Sequence, residues 1–283
     1  EQRGALLAKG ERAPHFLTMT ATPIPRTVAM TVFGDLDVSV LRQLPAGRAE
    51  VQTFLVNEAN VRWVTRAWSR AAEEIKQGGR VYVLCPKIAP DDSEQDPAAS
   101  ADTQNPPEPG RKTRKTAAQT SWGDDLAGFG ELEELEPGRV LHTVTQTAAQ
   151  LAALPVFRDI PIGVAHSNLD SGAKQQAVAD FASGRTPLLV STTVVEVGMD
   201  VPEASMMIIL DADRYGISQL HQLRGRIGRG SRPGVCLAIA PLDFPPVSDN
   251  LADLMAQAGE GTLAPALARL LAFAASRDGF ALA

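Results

Sequence analysis

Short, continuous apolar runs separated by helical patterns constrain the fold of this chain more than any other feature. The runs RVYVLCP, TPLLVST, SMMIIL and VCLAIA show no alternation of polar and apolar residues, which is typical of strands buried on both faces of a parallel sheet. Between the apolar runs, residues 144–154 and 173–181 carry apolar side chains at helical spacing and predict helices. Strands alternating with helices predict an α/β fold, a parallel sheet flanked by helices.

Composition shifts along the chain predict its domain organisation. Arg42–Glu50 has the Pro, Gly and charge content of a linker, so we expect residues 1–48 to end one domain and residues 49–240 to form the next. Residues 90–139 are polar and Pro-rich, and their acidic and basic residues stand in separate blocks. This composition predicts a disordered insertion. Residues 241–283 are rich in alanine and leucine and predict a helical C-terminal tail.

Charge and cysteine content limit the classes of protein. The formal net charge is −6, so a site for a polyanion must be a local one. Cys85 and Cys236 lie in apolar runs without metal-ligand spacing, which predicts reduced thiols in a cytoplasmic protein and no metal site. No apolar stretch approaches the roughly 20 residues that span a bilayer. The chain begins with Glu1 rather than Met, and we expect a piece of a longer protein.

The stretch QLHQLRGRIGRG, residues 219–230, concentrates positive charge. A helix is predicted around residues 218–223 and leads into this stretch. On a helix, Gln222, Arg226 and Arg229 would share one face. The planar fork of an arginine matches phosphate oxygens and stays charged. The stretch therefore predicts a site for a triphosphate, whose transferred phosphoryl group gathers charge in the transition state. The alternative is a basic surface turn bonded to neighbouring carboxylates.

The stretch STTVVEVGMDVP, residues 191–202, begins where an apolar strand ends. Ligands of open α/β sheets bind beyond the carboxyl ends of the strands. Hydroxyl groups and backbone N–H groups there can hold the phosphates of a nucleic acid, and Thr192 and Thr193 are the candidates. The alternative is an ordinary polar turn.

A similar stretch, TATPIPRT, stands near the start of the chain. Thr20 and Thr22 supply hydroxyls at the end of a β-rich run. Arg26 either binds phosphate or pairs with Asp35 or Asp37. The motif G-x-x-x-x-G-K-[ST] does not occur in the sequence, so no P-loop cradles a triphosphate. The sequence thus predicts arginines that bind a phosphate, but it contains no P-loop motif to bind the rest of the nucleotide.

Taken together and in this order, the three stretches resemble the motifs of superfamily-two helicases, closest to the RecG branch of ATP-dependent DNA helicases. TATPIPRT with GDLDVS resembles the third helicase motif, and STTVVEVGMDVP and QLHQLRGRIGRG resemble the fifth and sixth. The resemblance covers about residues 16–230 apart from the insertion. It implies a RecA-like second motor domain, with residues 1–48 closing the first motor domain and residues 241–283 starting a translocation element.

The resemblance also implies roles for residues. Arg229 would be the arginine finger, Arg226 its partner on the phosphates, and Gln222 would orient both. The fifth motif would supply Gly198 and Asp200 to meet the nucleotide, and Thr192 and Thr193 would lie near the DNA backbone. Thr20 and Thr22 would couple ATP hydrolysis to domain movement, and Arg26 would contact DNA. His166 stands where the family commonly has a histidine-glycine pair, but serine follows it here, which puts its role in doubt.

The implied whole is a motor acting on branched DNA, such as stalled forks and Holliday junctions, in recombination and repair. ATP and Mg²⁺ would be held mainly by an N-terminal motor domain that precedes Glu1. We therefore expect the chain by itself not to hydrolyse ATP. We also expect a monomer that does not contact a membrane. Two alternatives stay open: a RecA-like module that only binds nucleic acid or protein, and half of an RNA helicase.

Overall fold

A computed structural model of the chain describes residues 50–89, 139–192, 201–242 and 263–276. Its described strands form one six-stranded, fully parallel sheet of order β1-β6-β5-β2-β4-β3. The strands are β1 Val51–Asn57, β2 Arg80–Leu84, β3 Ile162–Ala165, β4 Leu188–Ser191, β5 Ala204–Ile209 and β6 Gly234–Ala240. The helices are α1 Val61–Lys76, α2 Val144–Ala153, α3 Ser171–Ser183, α4 Ile217–Arg224 and α5 Pro265–Ala275.

Side-chain caps set where three of the helices begin. Asn60 accepts a hydrogen bond from the Trp63 N–H, and Thr143 accepts one from the Gln146 N–H. Asp170 accepts a bond of 2.8 Å from the Ala173 N–H at the start of α3. Each cap satisfies a backbone donor that the first helical turn leaves without an intrahelical partner.

The sheet is buried on both faces, which explains its unalternating apolar runs. On β2, Tyr82 and Leu84 belong to one core cluster, and Val81 and Val83 belong to the other. The first cluster includes buried side chains of α3, α4 and α5, and the second includes those of α1 and α2. Helices thus cover both faces, as the sequence predicts for a RecA-like α/β fold.

The predicted elements in the described ranges are confirmed, with ends that differ by a few residues. The prediction of reduced, packed cysteines is confirmed too, because Cys85 and Cys236 are free and buried. Burial raises the pKa of each thiol to about 12. None of the helices in the described ranges is long and apolar enough to cross a bilayer.

Several predictions fall on residues outside the described ranges. The linker up to residue 49, the insertion up to residue 138 and the first half of the helical tail are among them. Arg139, the predicted last residue of the insertion, is described and is held by ion pairs to Asp211 and Asp213.

Candidate functional site

The arginine stretch leaves the helix before it reaches its second arginine. Helix α4 ends at Arg224, and two further backbone bonds continue as a tighter turn. The Arg226 N–H donates to the Leu223 carbonyl at 2.9 Å, and the Ile227 N–H donates to the Arg224 carbonyl at 3.3 Å. Bonds spanning three residues are typical of a 3₁₀ turn. The helix predicted around residues 218–223 is confirmed, but Gln222, Arg226 and Arg229 do not share a helical face, because both arginines follow the helix.

Residues 225–230, which we call the arginine loop, are fixed to the amino end of β5. Gly228 has a φ of +65°, a left-handed conformation that side chains other than glycine disfavour. Its N–H donates to the Ala204 carbonyl at 3.0 Å. A Cβ on Gly230 would lie 2.5 Å from the Pro202 carbonyl oxygen. The loop therefore needs glycine for its own path and for close packing against the residues before β5.

Gln222 lies in the last turn of α4, and the two loop arginines follow the end of that helix. Arg229 is exposed, whereas Arg226 and Gln222 are half-buried. The Arg229 Nε donates to the Gly225 carbonyl at 2.9 Å, which ties the side chain to the start of the loop. Residues 217–230 contain no carboxylate, so the charge that this segment presents is positive.

Arg224 is separated from that group. It is only 5% exposed, and its Nη1 donates to the Phe273 carbonyl at 2.8 Å and to the Thr53 Oγ1 at 3.3 Å. Burial lowers the pKa of its guanidinium. Of the three arginines in the stretch, this one packs into the protein and the other two remain at the surface of the loop.

Thr192 lies at the opposite, carboxyl edge of the sheet, directly after β4. Its N–H donates to the Ala165 carbonyl of β3 at 3.3 Å. Three buried polar atoms here have no hydrogen-bond partner in the described part of the chain, namely Thr192 Oγ1, Ser191 Oγ and His166 Nδ1. Buried polar groups normally find a partner, so these three atoms are the candidates for ligand bonds among the described residues of this edge.

The arginine loop and Thr192 do not meet, because a strand length separates the two edges. The six residues of β5 span about 17 Å at the usual rise per residue. Thr192 precedes and Val201 follows residues 193–200, which lie outside the described ranges. The predicted site residues Thr193, Gly198, Asp200, Thr20, Thr22 and Arg26 are also outside them.

A charged cluster at the carboxyl edge was missed by the sequence analysis. The His142 Nδ1 lies 2.9 Å from an Asp211 oxygen, and its Nε2 lies 3.3 Å from a Glu58 oxygen. Arg139 pairs with Asp211 and Asp213. The hydrogen bond to Asp211 raises the pKa of His142. Burial raises the pKa of Asp211, but the bonds from His142 outweigh it and the net shift is downward.

Glu58, His142 and Asp211 are close enough to be considered as metal ligands, since their ligand atoms lie within 4.8 Å of one another. Both ring nitrogens of His142 already face a carboxylate, and Arg139 occupies the other oxygen of Asp211. The cluster is therefore a hydrogen-bonded charge network. The sequence does not indicate it, because its members come from three distant segments.

Comparison with known proteins gives consistent matches. Residues 128–231 match the family described as the helicase conserved C-terminal domain. The chain is 40% identical over its whole length to the ATP-dependent DNA helicase RecG of Mycobacterium bovis, of which it spans 31%. It is 37% identical to RecG of Bacillus subtilis over 85% of the chain, which is 28% of that protein. The chain thus spans about a third of the length of these relatives.

A solved structure agrees with these matches. RecG bound to a three-way DNA junction superposes on 92% of this chain with a TM-score of 0.56 and 29% identity. The match covers 25% of that RecG chain. The parallel sheet with flanking helices is accordingly shared with a RecG structure.

Proposed function

Since this chain is a RecG-like helicase C-terminal domain, we propose that it supplies the arginine finger for ATP bound by another motor domain of the same protein. The observation that carries the proposal is the exposed Arg229 on a loop fixed to the sheet by the bond from Gly228 to Ala204. A finger must be held in place before the reaction, because preorganised charge costs no reorganisation at the transition state. We further propose that Arg226 and Gln222, from the same helix end and loop, act as its partners on the phosphates.

The donor set of the loop fits phosphate oxygens. It offers guanidinium groups and an amide, and residues 217–230 include no carboxylate that could hold Mg²⁺. ATP and Mg²⁺ would therefore be held mainly by an N-terminal motor domain. When bound, the nucleotide supplies the γ-phosphoryl group. Arg229 then balances the charge that develops on it, and Arg226 holds neighbouring oxygens.

The DNA is proposed to lie along the carboxyl edge of the sheet. Thr192 presents a buried hydroxyl without a partner in the described residues, which suits a phosphate of the DNA backbone. Thr193 and Arg26 would add contacts, while Gly198, Asp200, Thr20 and Thr22 would couple the nucleotide to the DNA. We propose branched DNA, such as stalled forks and Holliday junctions, as the substrate of a cytoplasmic, monomeric protein. A relative bound to a three-way junction supports this choice.

The deciding experiment compares Arg229→Ala with the wild-type, full-length protein. We expect DNA-stimulated ATP hydrolysis to fall by about three decades or more, while affinity for a model fork stays unchanged. Arg232→Ala is the matched control, since it removes a nearby arginine outside the loop. In the same assay, the isolated chain should show no turnover.

A different outcome would favour a binding module. If Arg229→Ala leaves turnover intact and weakens fork binding, the loop arginines grip nucleic acid and do not act on ATP. A preference for RNA over forked DNA in the binding assay would instead favour half of an RNA helicase. DNA-stimulated turnover by the isolated chain would contradict the need for a second motor domain.

A further inference from the structure

We propose that Arg224 is a positioning residue, which sets where the arginine loop stands by holding the end of α4 against α5. The inference rests on the proposed function of the loop, because only a loop that must be placed accurately needs such an anchor. Arg224 is the last residue of α4, and the loop begins at the next residue.

The contacts of Arg224 come from three elements. The Nη1 reaches the Phe273 carbonyl on α5 and the Thr53 hydroxyl on β1, at 2.8 and 3.3 Å. The guanidinium carbon lies 4.6 Å from the centre of the Phe273 ring, within the range of a cation–π contact. The Nη2 lies 3.2 Å from the His221 Nδ1, one turn back on α4. One planar group therefore joins α4 to α5 and to the edge strand of the sheet.

The chemistry of the side chain indicates that Arg224 orients the end of α4 more than it stabilises the contact between α4 and α5. Among the described residues, no carboxylate contacts Arg224, so a buried cation is held only by neutral acceptors and a ring. Desolvating a charge is costly, and an apolar residue of similar volume would join two helices at least as well. The fork of an arginine adds directed bonds that an apolar side chain lacks.

The same residue is also bonded to the loop through its backbone. The Arg224 carbonyl accepts the Ile227 N–H at 3.3 Å, and the next residue, Gly225, donates to the His221 carbonyl at 3.0 Å. The side chain of Arg224 thus holds α5 while its carbonyl holds the turn between Arg226 and Arg229. A shift of this helix end relative to α5 would be passed directly to the loop.

The test measures loop order and catalysis separately in the full-length protein. The variants are Arg224→Met, Arg224→Lys and Phe273→Leu, with Leu151→Ala as the control, because Leu151 is a buried residue of the opposite core. Hydrogen exchange of the peptide covering residues 217–234 reports loop order. Steady-state kinetics give kcat and the KM for ATP, and fork binding is measured alongside.

We expect Arg224→Met to speed amide exchange in the loop about tenfold and to lower kcat by about 10- to 100-fold, since small misplacements of catalytic groups have effects of this size. The KM for ATP and the affinity for the fork should stay within about twofold. Arg224→Lys should restore part of kcat, because a lysine still donates to the Phe273 carbonyl. Phe273→Leu, which keeps that carbonyl, should fall between wild type and Arg224→Met.

Two results would overturn the inference. One is loop exchange that does not change in Arg224→Met, or in Phe273→Leu if the methionine variant does not fold. The other is an equal increase in loop exchange in Leu151→Ala, which would mean a general loss of stability. Hydrogen exchange reports loop order even if Arg229→Ala has no effect on ATP hydrolysis. Failure of the proposed function and failure of this inference therefore give different results.

Discussion

Arginines only two to five positions apart face different surroundings here because α4 ends between them. Arg224, inside the last helical turn, points into the core against Phe273. Arg229, beyond the turn, is exposed and bonded to Gly225. In the sequence, the three arginines form one cluster of positive charge. In the structure, Arg224 is buried, whereas Arg226 and Arg229 lie on the loop that follows the helix.

At the residue scale, His142 gives a prediction about pH. Its pKa is raised in the folded state by Asp211 and Glu58, with burial and Arg139 opposing. A raised pKa stabilises the fold fully below the unfolded pKa of about 6.5, and this stabilisation is lost as pH rises through the folded pKa. His142→Gln should therefore lower the free energy of unfolding most at acidic pH, by on the order of 1 kcal/mol.

Urea unfolding of the full-length protein and the His142→Gln variant between about pH 5.5 and 9 tests this. The difference between the two should shrink toward alkaline pH. A difference that is constant, or that grows with pH, would contradict the assigned charge network. Asp211→Asn is a second test, since removing the carboxylate that bonds the His142 ring should return the pKa of the histidine toward its ordinary value.

At the element scale, the strands and α4 were predictable, and the path of the chain after α4 was not. Both faces of the sheet are buried, so β2 and β5 are apolar at every position except Arg80 and Ser205, and a single sequence is enough to show this pattern. Helix α4 was predicted to within about one residue at each end, but the spacing of Gln222, Arg226 and Arg229 would put them on one face only if the helix continued. Gly225 and Gly228 disfavour helical backbone, and they are the sequence feature that indicates where α4 ends. The bond from Gly228 to Ala204, however, joins distant segments and leaves no trace in local sequence.

The glycines of the loop give the prediction at this scale. Gly228→Ala places a side chain at a φ of +65°, which costs about 1–2 kcal/mol, and we expect the variant to lose that stability together with turnover. Gly216→Ala is the matched control at the other end of α4, since a Cβ there meets nothing within 4 Å. Urea unfolding and ATP hydrolysis measure both. Equal losses in the two variants would show that the loop conformation does not require glycine.

At the scale of the whole molecule, the parallel sheet separates two candidate sites that the sequence presents as neighbours. Thr192 and the arginine loop belong to motifs fewer than 40 residues apart, but one follows β4 and the other packs before β5. Parallel topology explains this, since each crossover returns the chain from the carboxyl edge to the amino edge. The family resemblance could name the residues, whereas only the register of the strands shows on which edge each one lies.

This separation predicts that binding and turnover can be altered independently. Thr192→Val keeps the shape of the side chain and removes an Oγ1 that has no partner in the described residues. We expect affinity for a model fork to fall about tenfold, the usual effect of losing a hydrogen bond to a charged group, with DNA-independent ATP hydrolysis unchanged. Stability should hold or rise by about 1 kcal/mol, because an unsatisfied buried hydroxyl is costly. Arg229→Ala should show the reverse, with affinity kept and turnover lost.

The combined variant decides whether the two edges act separately. If they do, the double variant Thr192→Val with Arg229→Ala should show the affinity of the first and the turnover of the second, since distant sites usually add. Fork binding by fluorescence anisotropy and ATP hydrolysis with and without DNA measure both quantities. Loss of DNA-independent turnover in Thr192→Val alone would mean that its hydroxyl supports the nucleotide edge from a strand length away. In that case, the carboxyl edge would belong to the ATP site, and the DNA would have to bind elsewhere.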